Sequence, residues 1–193
     1  MKIGLFFGTF DPVHHGHVSV AKSVLNKKNI DQLWVIVSPL SPFKQGRTIV
    51  DFFHRKKMLE KAFEGYSNIF VSDIEYKLKK PNYTIETLLQ LRKKYPKFEF
   101  SIILGADNFK RIHLWKSYKL ILDSYPIFIY PRKGFPLKDL DLNFPDSRIC
   151  LISMQNIPIS SSLIRDNIFK EEFTHYLNPK VREYILEKKL YQV

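Results

Sequence analysis

A glycine that separates an apolar strand from two closely spaced histidines constrains this chain more than any other feature. Residues 3–7 form an apolar run typical of a buried strand, and Gly8 follows it, where a missing side chain lets a ligand approach the backbone. The Asp-Pro pair at 11–12 predicts a turn, and a helix carrying His14 and His17 at its start comes next. Free N–H groups at that helix start, together with the histidines, would bind a phosphate group.

Two other interpretations of His14 and His17 remain open. A lone histidine at a helix start is most often an ordinary surface residue. A zinc site is disfavoured, because helical zinc ligands usually have wider histidine spacing with a carboxylate nearby, and the single Cys150 offers no thiolate cluster. The combination of strand, glycine, Asp-Pro turn and paired histidines favours phosphate, and we predict no protein metal ligands.

Length and composition indicate one domain, residues 1–193, since this length supports a hydrophobic core and no repeat or linker is present. One cysteine fits a reducing compartment. No apolar segment reaches the length of a signal peptide or a membrane span, so we predict a cytoplasmic protein with no membrane partner. The sequence is compatible with a homo-oligomer but leaves the oligomeric state open.

The net charge of +12 favours anionic ligands. The basic residues are scattered in small groups, such as residues 55–57 and 92–94, and most of these groups are typical of solvated helix faces. A nucleic-acid interface would concentrate them on one surface. We therefore predict small-molecule substrates and no nucleic-acid partner.

Apolar runs alternate with helical patterns along the chain, which predicts an α/β fold: one Rossmann-like, doubly wound, mostly parallel sheet with helices on both faces. The predicted strands are 2–7, 32–37, 68–71, 99–104, 126–130 and 148–152. The predicted helices are 15–26, 51–63, 83–95, a region around 115–122, 161–167 and 178–189. Ligands of such sheets lie at the carboxyl ends of the strands, where the strand order reverses, and the polar motifs follow the predicted strand ends.

A second helix start carries a serine run and an arginine, reading Ile-Ser-Ser-Ser-Leu-Ile-Arg at residues 159–165. Serines are also common helix caps, so each serine alone is a weak signal. Together with the histidine motif, however, this segment resembles the paired H-x-G-H and I-S-S-x-x-I-R motifs of the nucleotidyltransferase superfamily. Members of that superfamily join a nucleotide to a phosphorylated acceptor and release pyrophosphate.

Within the superfamily, the chain resembles the bacterial nicotinate-nucleotide adenylyltransferases over nearly its whole length. Besides the two phosphate motifs, the segments that carry the resemblance are residues 42–44, 72–75, 81–88, 104–108 with Trp115, 130–132 and 176–179. Two positions depart from the family pattern. Phe7 precedes Gly8 where the family often has another glycine, and Phe43 replaces a histidine of the second loop.

The resemblance implies adenylyl transfer from ATP to nicotinate mononucleotide, giving deamido-NAD and pyrophosphate, with Mg²⁺ accompanying ATP. The catalytic residues that it implies are His14, His17, Lys44 and Arg165. The implied ATP-binding residues are Gly8, Thr9, Phe10, Gly105, Asp107, Ser160 and Ser161. The implied nicotinate nucleotide-binding residues are Tyr83, Thr84, Trp115 and Arg132.

Other functions stay open at this point. An enzyme with the same fold could use a different acceptor: nicotinamide mononucleotide, phosphopantetheine, or the substrate of a cytidylyltransferase. A non-catalytic nucleotide- or RNA-binding protein is a further alternative. The histidine pair, with Ser161 and Arg165, argues against it, because binding alone does not require groups focused on a leaving pyrophosphate.

Overall fold

The computed structural model describes residues 1–26, 30–39, 48–140, 148–155 and 158–192. In this part of the chain, six strands form one sheet in which every pairing is parallel. The strands are β1 (Lys2–Gly8), β2 (Gln32–Val37), β3 (Ile69–Ser72), β4 (Glu99–Gly105), β5 (Ile127–Tyr130) and β6 (Ile149–Leu151). Their order is β3-β2-β1-β4-β5-β6, so the order reverses between β1 and β4. The predicted doubly wound α/β sheet is confirmed.

Helices connect the strands. They are α1 (His15–Leu25), α2 (Phe52–Ala62), α3 (Thr84–Lys94), α4 (Ala106–Phe109), α5 (Tyr118–Ser124), α6 (Ser161–Arg165), α7 (Glu171–Thr174) and α8 (Pro179–Glu187). Short 3₁₀ turns lie at Ile74–Lys77, Ile112–Leu114 and Leu137–Asp139.

Most predicted elements are present, with ends that differ by one or two residues. The helix predicted around 115–122 begins only at Tyr118, because Trp115 ends the 3₁₀ turn Ile112–Leu114. The helices α4 and α7 were not predicted. Each has four residues, which is too short to show a helical repeat of apolar positions.

The sheet has a hydrophobic core on each face. Successive residues of a strand point to opposite faces, so Leu5 of β1 packs on the side of α3 to α5, whereas Phe6 packs on the side of α1, α2 and α8. The helices are thus divided between both faces, as predicted. The loops that leave the carboxyl ends of β1, β4 and β5 are held at one edge of this two-layered core.

None of the helices within the described ranges is long and apolar enough to cross a membrane.

Candidate active site

A cavity of about 580 Å³ lies at the carboxyl edge of the sheet, where the strand order reverses. This is the position at which open α/β sheets bind their ligands. The predicted site residues that line the cavity are Gly8, Thr9, Tyr83, Thr84, Gly105, Asp107, Trp115 and Arg132. The fold therefore brings together residues that were assigned to two different substrates.

The two histidines of the first motif form a reciprocal cap at the start of α1. His14 Nδ1 accepts a hydrogen bond from the Gly16 N–H at 3.1 Å, and His17 Nδ1 accepts from the His14 N–H at 3.3 Å. Because Nδ1 is an acceptor in each ring, the proton of a neutral ring lies on Nε2. A Cβ at Gly16 would lie 2.9 Å from the His14 ring, so this glycine makes room for the histidine. The backbone thus fixes both the position and the tautomer of the pair.

His14 is buried and electrically neutral. Burial, together with smaller contributions from the positive charges of Arg132 and His15, lowers its pKa from 6.5 to about 3. Its ring lies 3.8 Å from the His17 ring, centroid to centroid. At neutral pH this histidine can therefore offer a hydrogen bond to a phosphate oxygen but not a full positive charge.

Phe10, which was assigned to ATP, places its ring in the core beneath the histidines. Its backbone has a φ of +50°, and its ring packs edge-on against His17 with the centroids 5.0 Å apart. A Cβ at Gly8 would lie 2.7 Å from that ring. From the sequence, the role of Gly8 is to let a ligand approach the backbone. The structure adds a second role, because Gly8 leaves space for the Phe10 ring that packs against His17.

Asp107 and Arg132, which follow β4 and β5, form an ion pair with 3.6 Å between Oδ1 and Nε. A Cβ at Gly105 would overlap the Asp107 carboxylate and approach Arg132 Cγ to 3.0 Å. The glycine therefore permits the pair to lie against the end of β4. The pair contributes a cation and a carboxylate to the same wall of the cavity.

The start of α3 lies at the cavity. Its cap residue Tyr83 makes no side-chain capping hydrogen bond, and both Tyr83 and Thr84 line the cavity. Lys116 lies over the Tyr83 ring, with Nζ 4.6 Å from the centroid, and pairs with Glu86 at 2.6 Å. Helix dipole and lysine together favour an anion at this end of the helix.

The serine and arginine motif docks on the loop that follows β1. Ser160 caps α6 by accepting from the Leu163 N–H at 3.2 Å. The Ser161 hydroxyl donates to the Pro12 carbonyl at 2.9 Å, and Arg165 donates to the Asp11 carbonyl. The motifs from opposite ends of the chain therefore meet at the loop that follows β1.

Lys44, assigned as catalytic, and the neighbouring Phe43 lie outside the described residues. Within the described ranges, no group of three or more histidine, cysteine, aspartate or glutamate side chains is placed to hold a metal ion.

Two residues that organise this site, Arg55 and Tyr191, carry no recognisable signal in the sequence. Arg55 belongs to a basic group that was interpreted as a solvated helix face, yet it is only 1% exposed. Tyr191 donates its hydroxyl to Asp11 at 2.7 Å across 180 positions of the chain. No local pattern marks such contacts, because both depend on the folded arrangement of distant segments.

A parallel sheet that reverses its order at a cavity, with a histidine-capped helix and a serine-arginine helix meeting beside it, is the arrangement of an α/β nucleotidyltransferase. The chain belongs to the cytidylyltransferase-like family, whose model matches residues 5–167.

Relatives of the chain agree with this assignment. A protein of Flavobacterium psychrophilum and one of Flavobacterium johnsoniae are each 40% identical to it over the full length of both chains. Both carry the name nicotinate-nucleotide adenylyltransferase. The prediction that the chain is an enzyme of the nucleotidyltransferase class is confirmed.

A solved structure shares the fold. Plasmodium falciparum nicotinic acid mononucleotide adenylyltransferase complexed with NaAD is 24% identical and has a TM-score of 0.80, covering 98% of this chain and 97% of that chain. The similarity extends over the whole sheet and its helices, so it supports the Rossmann-like fold class.

Proposed function

We propose that this enzyme transfers the adenylyl group of ATP to nicotinate mononucleotide, giving nicotinate adenine dinucleotide and pyrophosphate in NAD biosynthesis. One observation carries the proposal. A single cavity is lined both by the Gly8-Thr9 loop and by the start of α3 with Trp115. This arrangement supports a nucleotide and a pyridine nucleotide binding side by side. The relatives with 40% identity over their full length bear the name of this activity.

The reaction requires positioning rather than a protein nucleophile. An oxygen of the acceptor phosphate attacks the α-phosphorus of ATP, the new P–O bond forms, and the bond from the α-phosphorus to the bridging oxygen breaks. Pyrophosphate leaves with that electron pair. Since the attacking phosphate is already ionised, no general base is needed, and catalysis depends on alignment and charge stabilisation.

His14 and His17 suit the stabilisation of the leaving group. Their Nδ1 atoms are occupied by backbone N–H groups, so each neutral ring carries its proton on Nε2. Both rings would donate to α- and β-phosphate oxygens as negative charge moves towards pyrophosphate. Lys44 and Arg165 would bind the phosphates of ATP. Arg165 already lies beside the loop that follows β1.

The adenosine end would lie against Gly105 and Asp107, where the carboxylate can accept a hydrogen bond from a ribose hydroxyl. Mg²⁺ would arrive with ATP as part of the substrate. Asp11 and Asp107 both have basic partners, Arg165 and Arg132, so phosphate oxygens and water would supply the coordination of the ion.

The nicotinate carboxylate would meet the N–H groups around Tyr83 and Thr84, with the ring on Trp115. The absence of a side-chain cap on α3 leaves these donors for a ligand. Arg132 would bind the phosphate of the acceptor. The enzyme would take these small molecules as its partners, rather than nucleic acid or membrane, and would act in the cytoplasm.

A pyrophosphate-release assay with Mg-ATP and a panel of acceptors tests the proposal. The panel contains nicotinate mononucleotide, nicotinamide mononucleotide and phosphopantetheine, with CTP replacing ATP in a parallel series. We expect the fastest release with ATP and nicotinate mononucleotide, and a product whose mass is that of nicotinate adenine dinucleotide. Faster release with another acceptor, or with CTP, would refute the assignment.

A further inference from the structure

A tyrosine from beyond α8 reaches the loop that follows β1. The Tyr191 hydroxyl donates to Asp11 Oδ1 at 2.7 Å, and both side chains are largely shielded from solvent. Lys189 and Tyr191 have φ angles of +50° and +63°, in the left-handed region that non-glycine residues seldom adopt. A backbone with two such residues is maintained only where surrounding contacts hold it, and the bond to Asp11 is one such contact.

The two oxygens of the Asp11 carboxylate have different partners. Oδ1 accepts from Tyr191, whereas Oδ2 lies 3.7 Å from Arg165 Nη1, which also donates to the Asp11 carbonyl. The ion pair is therefore long and engages one nitrogen of the guanidinium. Arg165 Nη2 also donates to the Ser162 hydroxyl at 3.2 Å. An arginine has five N–H donors, so the donors of Arg165 that remain can serve a phosphate.

Arg55, the other cation near this carboxylate, already uses four of its five N–H groups on backbone carbonyls. Its Nε donates to the Val50 carbonyl at 2.8 Å. Its Nη1 donates to the carbonyls of Thr9 and Ser38 at 2.7 and 2.9 Å, and Nη2 lies 3.4 Å from the Pro39 carbonyl. Arg165 already pairs with Oδ2, so if Oδ1 of Asp11 lost its tyrosine partner, Arg165 is the cation placed to bind both oxygens, in the two-bond geometry that arginine and carboxylate prefer.

We propose that Tyr191 is a positioning residue for ATP binding: its hydroxyl occupies one oxygen of Asp11 and thereby keeps the Arg165 guanidinium available to the phosphates of ATP. The inference rests on the part of the proposed function that makes ATP the nucleotide donor, and it does not depend on the acceptor.

Tyr191 keeps its proton over the physiological range. Burial raises its pKa far above the usual value, and the negative charge of Asp11 raises it further, while Arg165 and Arg55 act in the opposite direction. The hydroxyl thus remains a hydrogen-bond donor to Asp11 throughout that range.

The dissociation constant of Mg-ATP, measured by calorimetry without any acceptor, tests the proposal on Tyr191→Phe. We expect ATP binding to weaken by about 3- to 10-fold, because the freed carboxylate draws Arg165 into a tighter pair. Tyr184→Phe is the matched control. It removes another hydroxyl of the C-terminal region, hydrogen-bonded to His54 at 2.9 Å, and we expect ATP binding to stay within about twofold of the wild type. Equal dissociation constants for Tyr191→Phe and the wild type would overturn the proposal.

A double-mutant cycle separates positioning from loss of stability. In an Arg165→Ala background, Tyr191→Phe should cause no further weakening of ATP binding, whereas additive losses would show that the tyrosine acts by another route. If Tyr191→Phe does not fold, Asp11→Asn provides a second test. It removes the ion pair, so we expect ATP binding as strong as in the wild type or stronger, and weaker binding would contradict the proposal. A wild-type protein that fails to bind Mg-ATP would instead refute the proposed function itself.

Discussion

At the scale of single residues, the two histidine side chains of the first motif are held in place by hydrogen bonds from the motif's own backbone N–H groups. Each ring accepts a backbone N–H on Nδ1, which fixes the proton of the neutral ring on Nε2. Phe10 supports the His17 ring from below. The motif therefore presents two oriented imidazoles, of which the buried His14 is neutral, and they would stabilise charge that develops on the leaving group.

This arrangement predicts a selective effect of His17→Ala. We expect kcat to fall by on the order of 10²-fold or more, with a smaller change in KM for ATP, because the donor acts mainly where charge develops. His15→Ala is a suitable control. His15 lies on the same helix, but its hydrogen bond and electrostatic interactions are with the segment around His175. Steady-state kinetics on both variants decide the matter. Turnover close to the wild type for His17→Ala would remove this residue from the mechanism.

Burial of His14 predicts a pH-dependent stability. The unfolded chain takes up a proton at this residue below about pH 6.5, whereas the folded protein resists protonation until the pH approaches about 3. The free energy of unfolding should therefore decrease as the pH falls from 6.5 towards 3, by up to about 1.4 kcal/mol per pH unit from this group.

His14→Asn removes the titration and keeps an oxygen that can cap the Gly16 N–H. Urea unfolding at pH 6.5 and 5.0 should show a loss of stability that is smaller in the variant by about 2 kcal/mol or less. If both proteins lose the same stability between these two pH values, His14 is not a neutral buried group.

At the scale of elements, α2 connects the two loops that leave the centre of the sheet. Arg55 projects from this helix and donates to carbonyls of the loop after β1 and of the segment after β2. Its burial also lowers its pKa, although the negative charge of Asp11 opposes this. A planar guanidinium can reach several carbonyls in different directions, and an ammonium group cannot do the same from one point.

Arg55→Lys should therefore lower the free energy of unfolding by about 2–4 kcal/mol, because loop carbonyls that Arg55 now satisfies would be left without donors inside the protein. Arg92→Lys, on the exposed face of α3, is the control, and we expect a change of less than about 0.5 kcal/mol. Chemical denaturation measures both. Equal stabilities of the two variants would show that the buried arginine does not hold the loops.

The elements show where sequence reasoning succeeds. β1 and β2 are short apolar runs followed by polar or glycine residues, and their bounds were predicted to within one residue. The long helices carry apolar residues at helical spacing, as in α8, where Val181, Tyr184 and Ile185 are buried. Helices of a single turn, such as α4, contain no such repeat and could not be predicted.

At the scale of the whole molecule, the site combines local motifs with contacts that span the chain. The motif residues of β1, α3, β4 and β5 were predicted to share one site, because strand ends meet at one edge of a parallel sheet. The Tyr191 to Asp11 bond and the burial of Arg55 could not be predicted in the same way. Each depends on how segments far apart in sequence pack together, and the residues themselves look like ordinary polar positions.

The positive charge of the chain also appears in the lining of the cavity. The chain has a net charge of +12. Three cations, Arg111, Lys116 and Arg132, line the cavity together with two carboxyl groups, Asp107 and the buried Glu75. Burial raises the pKa of Glu75, although hydrogen bonds from Ser38 and Thr87 act in the opposite direction. The cavity is thus suited to substrates that carry several negative charges.

The preference between acid and amide acceptors tests the central claim most directly. A nicotinate carboxylate offers two acceptor oxygens to the uncapped N–H groups at the start of α3, whereas nicotinamide would turn an NH₂ group towards a donor. The lost charge-assisted hydrogen bond and the unpaired N–H would cost about 2–4 kcal/mol, or about 30- to 1,000-fold in kcat/KM. The measurement is kcat/KM for nicotinate mononucleotide and for nicotinamide mononucleotide at saturating Mg-ATP. We predict a preference for the acid within that range, and equal values for the two acceptors would contradict the assignment.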